Sequence, residues 1–130
     1  MRFLLDANAV IALLRGEAGL TARITAHRPA DFGLPAIVAQ ELVFGAFRSR
    51  RPEHHLARVE ALRFETVEFD REDARIAGEL RARLAAAGTP IGPYDVLIAA
   101  QAMARDLVLI THNAREFSRA PGLRFEDWER

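Results

Sequence analysis

Phe3-Leu4-Leu5-Asp6-Ala7-Asn8-Ala9-Val10-Ile11-Ala12-Leu13-Leu14-Arg15-Gly16 carries the organising pattern of the chain. A short apolar run ends at an aspartate, apolar residues recur at helical spacing through Val10, Ile11, Leu13 and Leu14, and Gly16 closes the segment. This reads as strand, turn, helix, stop. The same grammar repeats downstream. A short helix over Thr21 to His27 precedes a buried strand at Phe32-Gly33-Leu34, and Pro35 introduces a helix from Ala36 to Phe47 with Ile37, Val38, Leu42, Phe44 and Phe47 near one stripe. Pro52 to Leu62 reads as helix, and alternating Glu65-Thr66-Val67-Glu68-Phe69 as strand. Asp70 caps a long helix, Arg71 to about Ala87, that Gly88 ends. After the loop Gly88-Thr89-Pro90-Ile91-Gly92-Pro93 come a helix to about Arg105, an apolar strand at Leu107 to Ile110, a short helix at Asn113 to Phe117 and an extended piece near Leu123 to Phe125. Strands alternating with helices predict an α/β fold: one domain over residues 1–130, a doubly wound parallel β-sheet with helices on both faces.

Composition narrows the chemistry. The chain has 130 residues, half of them apolar, with 18 basic against 18 acidic residues and no cysteine. At this length folding buries roughly two thirds of the unfolded surface, enough for a core without staples. Every basic residue is arginine; lysine is absent. That excludes a Walker-type phosphate loop, Schiff-base chemistry and a lysine general base. The lack of cysteine excludes thiol catalysis and thiolate zinc sites, and neither Ser49 nor Ser118 lies in a Gly-x-Ser-x-Gly turn. Carboxylate, histidine, arginine and hydroxyl chemistry remain. The longest later apolar run, Val96 to Ala100, is far below the ~20 residues a bilayer demands, so a soluble, cytoplasmic protein is expected.

Parallel sheets bind ligands beyond the carboxyl ends of their strands, and several carboxylates stand there. Asp6 follows the first strand, as an N-cap or as a ligand; Asn8 is a second polar group at the same crevice. Glu41 has Ile37, Val38 and Phe44 as helical neighbours, so its carboxylate leaves the apolar stripe, either at the stripe's edge or toward a cation. Asp95 stands in the first turn of its helix with Ile98, Ala99 and Ala102 along the same face, which also suits a simple helix-terminus charge. Asn113 and Glu116 follow the strand Leu107 to Ile110 at the spacing of a capping box. Carboxylates gathered at one place repel unless a cation neutralises them, and hard oxygen donors favour Mg²⁺ or Mn²⁺. Such a set suits phosphoryl transfer. His54 and His55 are expected at the surface, His27 at a helix end, and His112 lies near the set without a ligand role.

At these residues the chain resembles the PIN-domain ribonucleases, specifically the VapC-type toxins of bacterial toxin–antitoxin pairs. The resemblance rests on Phe3-Leu4-Leu5-Asp6-Ala7-Asn8, on Gln40-Glu41-Leu42, on Ile91-Gly92-Pro93-Tyr94-Asp95-Val96-Leu97-Ile98-Ala99-Ala100 and on Leu109-Ile110-Thr111-His112-Asn113-Ala114-Arg115-Glu116-Phe117. Pro121-Gly122-Leu123 and Glu126-Asp127-Trp128 complete it, so it runs the length of the chain in order. It implies a PIN-like domain with Mg²⁺- or Mn²⁺-dependent endoribonuclease activity, in which Asp6, Glu41 and Asp95 match the three acidic metal positions and Asn113 the fourth catalytic one. It implies a VapB-type antitoxin partner, an RNA substrate such as a transfer RNA, a homodimer, and operator DNA contacted only through the antitoxin. Two departures stand out. Ala7 replaces a hydroxyl residue common after the first aspartate, and Asn113 replaces a frequent aspartate, which lowers the charge available for a second metal unless Glu116 or the substrate contributes.

The expected mechanism has a cation on Asp6 and Asp95, with Glu41 direct or through water, activating a water for in-line attack that leaves a 5′-phosphate and a 3′-hydroxyl. A second cation about 4 Å away arrives with the RNA. Phosphate binding falls to arginine: Arg48, Arg50 and Arg51 after the Glu41 helix, Arg115 and Arg119 near the fourth motif, with Asn8 and Thr111 completing the substrate contacts. Of Phe44 and Phe47, at least one is expected in the core. Dehalogenase-like and receiver-type readings of Asp6 require a lysine that is absent. The remaining rival is a PIN-like binding module acting mainly in an antitoxin–operator complex, which Ala7 and Asn113 keep open.

Overall fold

Phe3–Leu5 forms a strand, β1, in the computed structural model, which describes residues 1–129. Asp6 caps the helix that follows, α1 (Ala7–Leu14), and α2 (Ala18–Thr25) leads through a single 3-10 turn into β2 (Phe32–Pro35). Then come α3 (Ala36–Arg48), α4 (Pro52–Glu60), β3 (Glu65–Val67), α5 (Arg71–Ala86), α6 (Pro93–Ala104), β4 (Val108–Ile110), α7 (Ala114–Phe117) and β5 (Phe125–Glu126). β3 stops two residues short of the expected strand, and Phe69 lies outside it. The long helix ends where Gly88 takes φ +72°, a conformation that suits glycine at a helix terminus. No helix among the described residues is long and apolar enough to cross a membrane.

All five strands are parallel, in the order β3-β2-β1-β4-β5. From β1 the chain moves outward to β2 and β3, then crosses back over the sheet to β4 and continues to β5. Because β-α-β crossovers are right-handed, that reversal puts α1 to α4 on one face and α5 to α7 on the other. It also makes the gap between β1 and β4 the switch point, where a crevice opens beyond the strand ends. Phe3, Leu4 and Leu5 pair with Val108, Leu109 and Ile110. The next residues, Asp6 and Thr111, therefore emerge side by side at that crevice.

Phe3, Leu4, Leu5, Leu109 and Ile110 fill the core, with Phe32 and Trp128 closing one end. Trp128 packs edge-on to Phe3 and lies parallel to the His27 ring, while Arg23 sits 4.7 Å above its ring. On the far side Asp73, 1 % exposed, accepts from Arg105 Nη2 at 2.9 Å and Gln101 Nε2 at 3.2 Å, a polar tie between α5 and α6. Burial would raise the Asp73 carboxyl, but the Asp70 N–H, Arg105 and Gln101 hold it below its ordinary value.

Two glycines give opposite predictions. A Cβ on Gly33 would stand 2.6 Å from Met1 Sδ and 2.7 Å from Val67 Cγ2, and Val67 is a buried branched residue with little room to move. Gly33→Ala is expected to cost about 1–3 kcal/mol in urea unfolding. Gly45 lies inside α3 with nothing within 4 Å of an added Cβ, so Gly45→Ala is expected to add roughly 0.5–1 kcal/mol. Equal responses would show that strand packing does not set the difference.

Candidate active site

Asp6 is 4 % exposed, and both of its oxygens are occupied. Oδ1 accepts the Ala9 N–H at 2.8 Å, the N-cap bond of α1, and Oδ2 accepts the Thr111 hydroxyl at 2.5 Å. The aspartate is therefore an N-cap and a member of the crevice at once. Thr111 Oγ1 in turn accepts the Asn113 N–H at 3.0 Å. The Asn113 amide donates to Glu116 Oε2 at 2.8 Å, and Glu116 Oε1 accepts the Gly92 N–H at 2.6 Å. Asp95, in the first turn of α6, faces Glu116 across Gly92, where one proton held between the two carboxyls would link them. One continuous polar chain thus runs Asp6, Thr111, Asn113, Glu116, Asp95 across the mouth of the β1/β4 crevice.

This geometry revises three expectations. Thr111 is 1 % exposed and its hydroxyl holds Asp6, so it positions the aspartate and does not face substrate. That hydroxyl also orders the aspartate where Ala7 cannot. Asn113 and Glu116 are not a capping box, because the Asn113 side chain makes no cap bond and turns to the Glu116 carboxylate instead. Phe44 and Phe47 both lie outside the core, at 60 % and 64 % exposure.

The electrostatics are those of crowded carboxylates. Burial, reinforced by Glu129 and Glu41, pushes Asp6 up to about 6 against the opposing Thr111 and Ala9 bonds. Burial, then Glu116, Asp6 and Glu41, pushes Asp95 up to about 7. Glu116 is held below its usual value, first by the Gly92 N–H and then by Asp95, Asn113 and the Arg119 charge. Glu41, half-buried on α3, is raised by burial. No arginine among the described residues forms an ion pair with any of the four. Asp6, Glu41 and Asp95 thus sense one another's charge, yet their ligand atoms do not close into a trio within 4.8 Å of one another. An unneutralised, oxygen-only donor set of this width suits a hard hydrated cation, with Glu41 reached through water.

The Glu116 carboxylate raises Asp95, so Glu116→Gln is expected to lower the Asp95 titration in metal-free protein by about one pKa unit, followed by carboxyl carbon NMR. An Asp95 midpoint unchanged near 7 would leave burial as the whole cause.

The expected phosphate binders are exposed and unpaired. Arg48 lies 5.5 Å over the Phe44 ring, and Arg50 and Arg115 make no ion pair among the described residues. Arg119 donates to the Pro90 carbonyl at 3.0 Å beside the Asp95 turn, and Asn8 is exposed on the first turn of α1. Beside Glu41 a groove of about 290 Å³ lies between α3 and α4, lined by Leu14, Leu42, Ala46, His55 and Val59.

A family model described as PIN domain matches residues 3–123. The chain is 39 % identical to the tRNA(fMet)-specific endonuclease VapC of Salmonella typhimurium and 36 % identical to that of Shigella flexneri, covering 98 % of each chain in both cases. Among solved structures it is similar to DNA-bound VapBC from Salmonella typhimurium, with TM-score 0.94, 40 % identity and 98 % of both chains covered. It is also similar to VapBC-1 from nontypeable Haemophilus influenzae, with TM-score 0.90, 30 % identity and full coverage of both chains.

Proposed function

Because the chain belongs to the PIN-domain family, among its VapC ribonucleases, we propose that it is a divalent-metal-dependent endoribonuclease and the toxin of a VapBC-type pair. The observation that carries this reading is the hydrogen-bonded chain from Asp6 to Asp95 at the switch point, with Glu41 facing it from α3. Asp6, Asp95 and Glu41 would hold Mg²⁺ or Mn²⁺, directly or through water. When bound, the cation supplies Lewis acidity toward a scissile phosphate and charge neutralisation for the carboxylates.

The chain's own groups do the rest. The α1 N-terminus and the Thr111 hydroxyl fix the Asp6 carboxylate before substrate arrives. Glu116, held by the Gly92 N–H and the Asn113 amide, fixes Asp95 from the side as a ligand, and Glu41, half-buried on α3, would accept a proton from attacking water. Arg48, Arg50 and Arg115 orient the flanking phosphates. Transfer RNA is the proposed substrate, in line with the Salmonella and Shigella relatives named for tRNA(fMet). The VapB-type antitoxin is the proposed partner, since the similar structures are VapBC complexes, and operator DNA is engaged through it.

The test is incubation of a labelled transfer-RNA pool with antitoxin-free protein in Mg²⁺ or Mn²⁺, with and without EDTA. Discrete fragments that disappear with EDTA are expected. Intact RNA from protein whose melting temperature does not respond to Mn²⁺ would replace this reading with a binding module lacking catalysis.

A further inference from the structure

His112, Asp127 and Glu129 lie beside the nuclease crevice, near enough for the Glu129 charge to raise Asp6, and none of them is among the residues proposed to hold its cation. Among the described residues they are the one set of three metal-ligating side chains whose ligand atoms all lie within 4.8 Å of one another. His112 Nδ1 stands 3.0 Å from Asp127 Oδ2 and 3.7 Å from Glu129 Oε2. We propose that these three side chains form a second cation site, taking a borderline transition-metal ion such as Zn²⁺, and that it is separate from the carboxylate set of Asp6, Glu41 and Asp95.

The backbone builds this triad from two neighbouring strands. β4 and β5 pair with Ile110 opposite Glu126, and the Thr111 N–H reaches the Glu126 carbonyl at 3.0 Å, so the ladder runs on past both strands. The ladder brings Thr111 level with Asp127, and the bend at His112 turns its ring onto the Asp127 carboxylate. Trp128, 1 % exposed, turns into the core, while Asp127 and Glu129 on either side of it both face the imidazole. Asp127 Oδ1 accepts the Glu129 N–H at 3.0 Å, and Oδ2 faces His112 Nδ1. The two carboxylates are largely covered, at 14 % and 15 % side-chain exposure, while His112 is 54 % exposed.

The distances and donor types select the ion. Ligands bonded at 2.0–2.2 Å to a tetrahedral centre stand about 3.3–3.6 Å apart; the 3.7 Å pair is close to that spacing, and the 3.0 Å pair, a hydrogen bond in the absence of an ion, would open by a few tenths of an ångström. An imidazole nitrogen with two carboxylates favours Zn²⁺, Co²⁺ or Ni²⁺ over Mg²⁺, whose preference is for oxygen alone. Three protein ligands leave a fourth position open to solvent. The chain would then carry two cation sites of different hardness on adjoining residues. Thr111, which holds Asp6, precedes His112, so the second site ties the loop bearing Thr111 and Asn113 to the segment after β5. The inference rests on this geometry and stands whether or not the chain cleaves RNA.

The test uses the whole 130-residue chain and Zn²⁺ alone. Imidazole nitrogen NMR resolves the four histidines, His27, His54, His55 and His112. In a D6N/D95N background, which disables the carboxylate set, Zn²⁺ is expected to shift the His112 ring and to saturate at one equivalent, with the other three rings unmoved. Glu129→Gln, a near-isosteric change, is expected to weaken binding at least tenfold, and His112→Ala to abolish it; circular dichroism confirms that each variant is folded. A His112 ring that does not respond to millimolar Zn²⁺ would overturn the proposal. So would a shift centred on His54 and His55, or a His112 shift unaffected by Glu129→Gln and Asp127→Asn.

Discussion

Asp6→Asn is expected to reduce RNA cleavage by about a thousandfold or more while making the metal-free protein more stable at pH 8. The catalytic loss follows from removing a charged ligand worth several kcal/mol to a developing phosphoryl charge, each 1.4 kcal/mol being about tenfold in rate. The stability gain follows from linkage. Asp6 is raised to about 6 and Asp95 to about 7, above the ordinary 3.8, so the folded state holds their protons more tightly than the unfolded chain does. That contribution is complete below about pH 4 and is lost as pH rises through 6 and 7. Metal-free wild type should therefore melt lower at pH 8 than at pH 5, and Mn²⁺ should restore the loss at pH 8 only. Asparagine still caps a helix, so D6N keeps the Ala9 bond and drops the buried charge. The gain at pH 8 is expected on the order of 5 °C, from a ceiling of about 3 kcal/mol for a shift of this size. Calorimetry at the two pH values, beside the cleavage assay, checks both signs. A D6N protein that is less stable at pH 8 than wild type would show that the Thr111 bond outweighs charge crowding.

Trp128→Ala is expected to be the most damaging packing change, at about 3–5 kcal/mol. The ring is 1 % exposed and lies 4.9 Å from Phe3 and 6.0 Å from Phe32, and its Nε1–H donates to Glu126 at 2.9 Å. Phe3 opens β1, the strand that delivers Asp6, so the loss reaches the crevice through one short strand. Trp128→Phe keeps the contact with Phe3 and is expected to recover roughly half of the loss. Since Trp128 is the sole tryptophan, urea unfolding of the variants is followed by circular dichroism. A loss below about 1 kcal/mol for the alanine variant would mean that this end of the core closes without the indole.

The alternation of strand and helix was readable because each unit is local: Phe3 to Gly16 contains its own run, cap and stop. The site was readable in part for the same reason, since Asp6, Asp95 and Asn113 each follow a local signal for a strand end or a helix mouth. The bond from Thr111 to Asp6 spans 105 positions and depends on β1 lying against β4. No periodicity encodes that neighbourhood, so Thr111 read as a substrate contact. Glu116 had a local explanation, the capping box, which hid its reach of 24 positions back to Gly92. Phe44 and Phe47 show the converse failure. Helical spacing marks residues as apolar and one-sided, but carries no information on whether their cover belongs to the same chain.

Those two rings lie three and six positions beyond Glu41 on α3, at 60 % and 64 % exposure. Exposed aromatic surface drives self-association, and a partner relieves it by covering the rings. Any cover that does so arrives within two helical turns of a carboxylate at the crevice. A partner that covers these rings is therefore placed to cover the Glu41 end of the crevice as well.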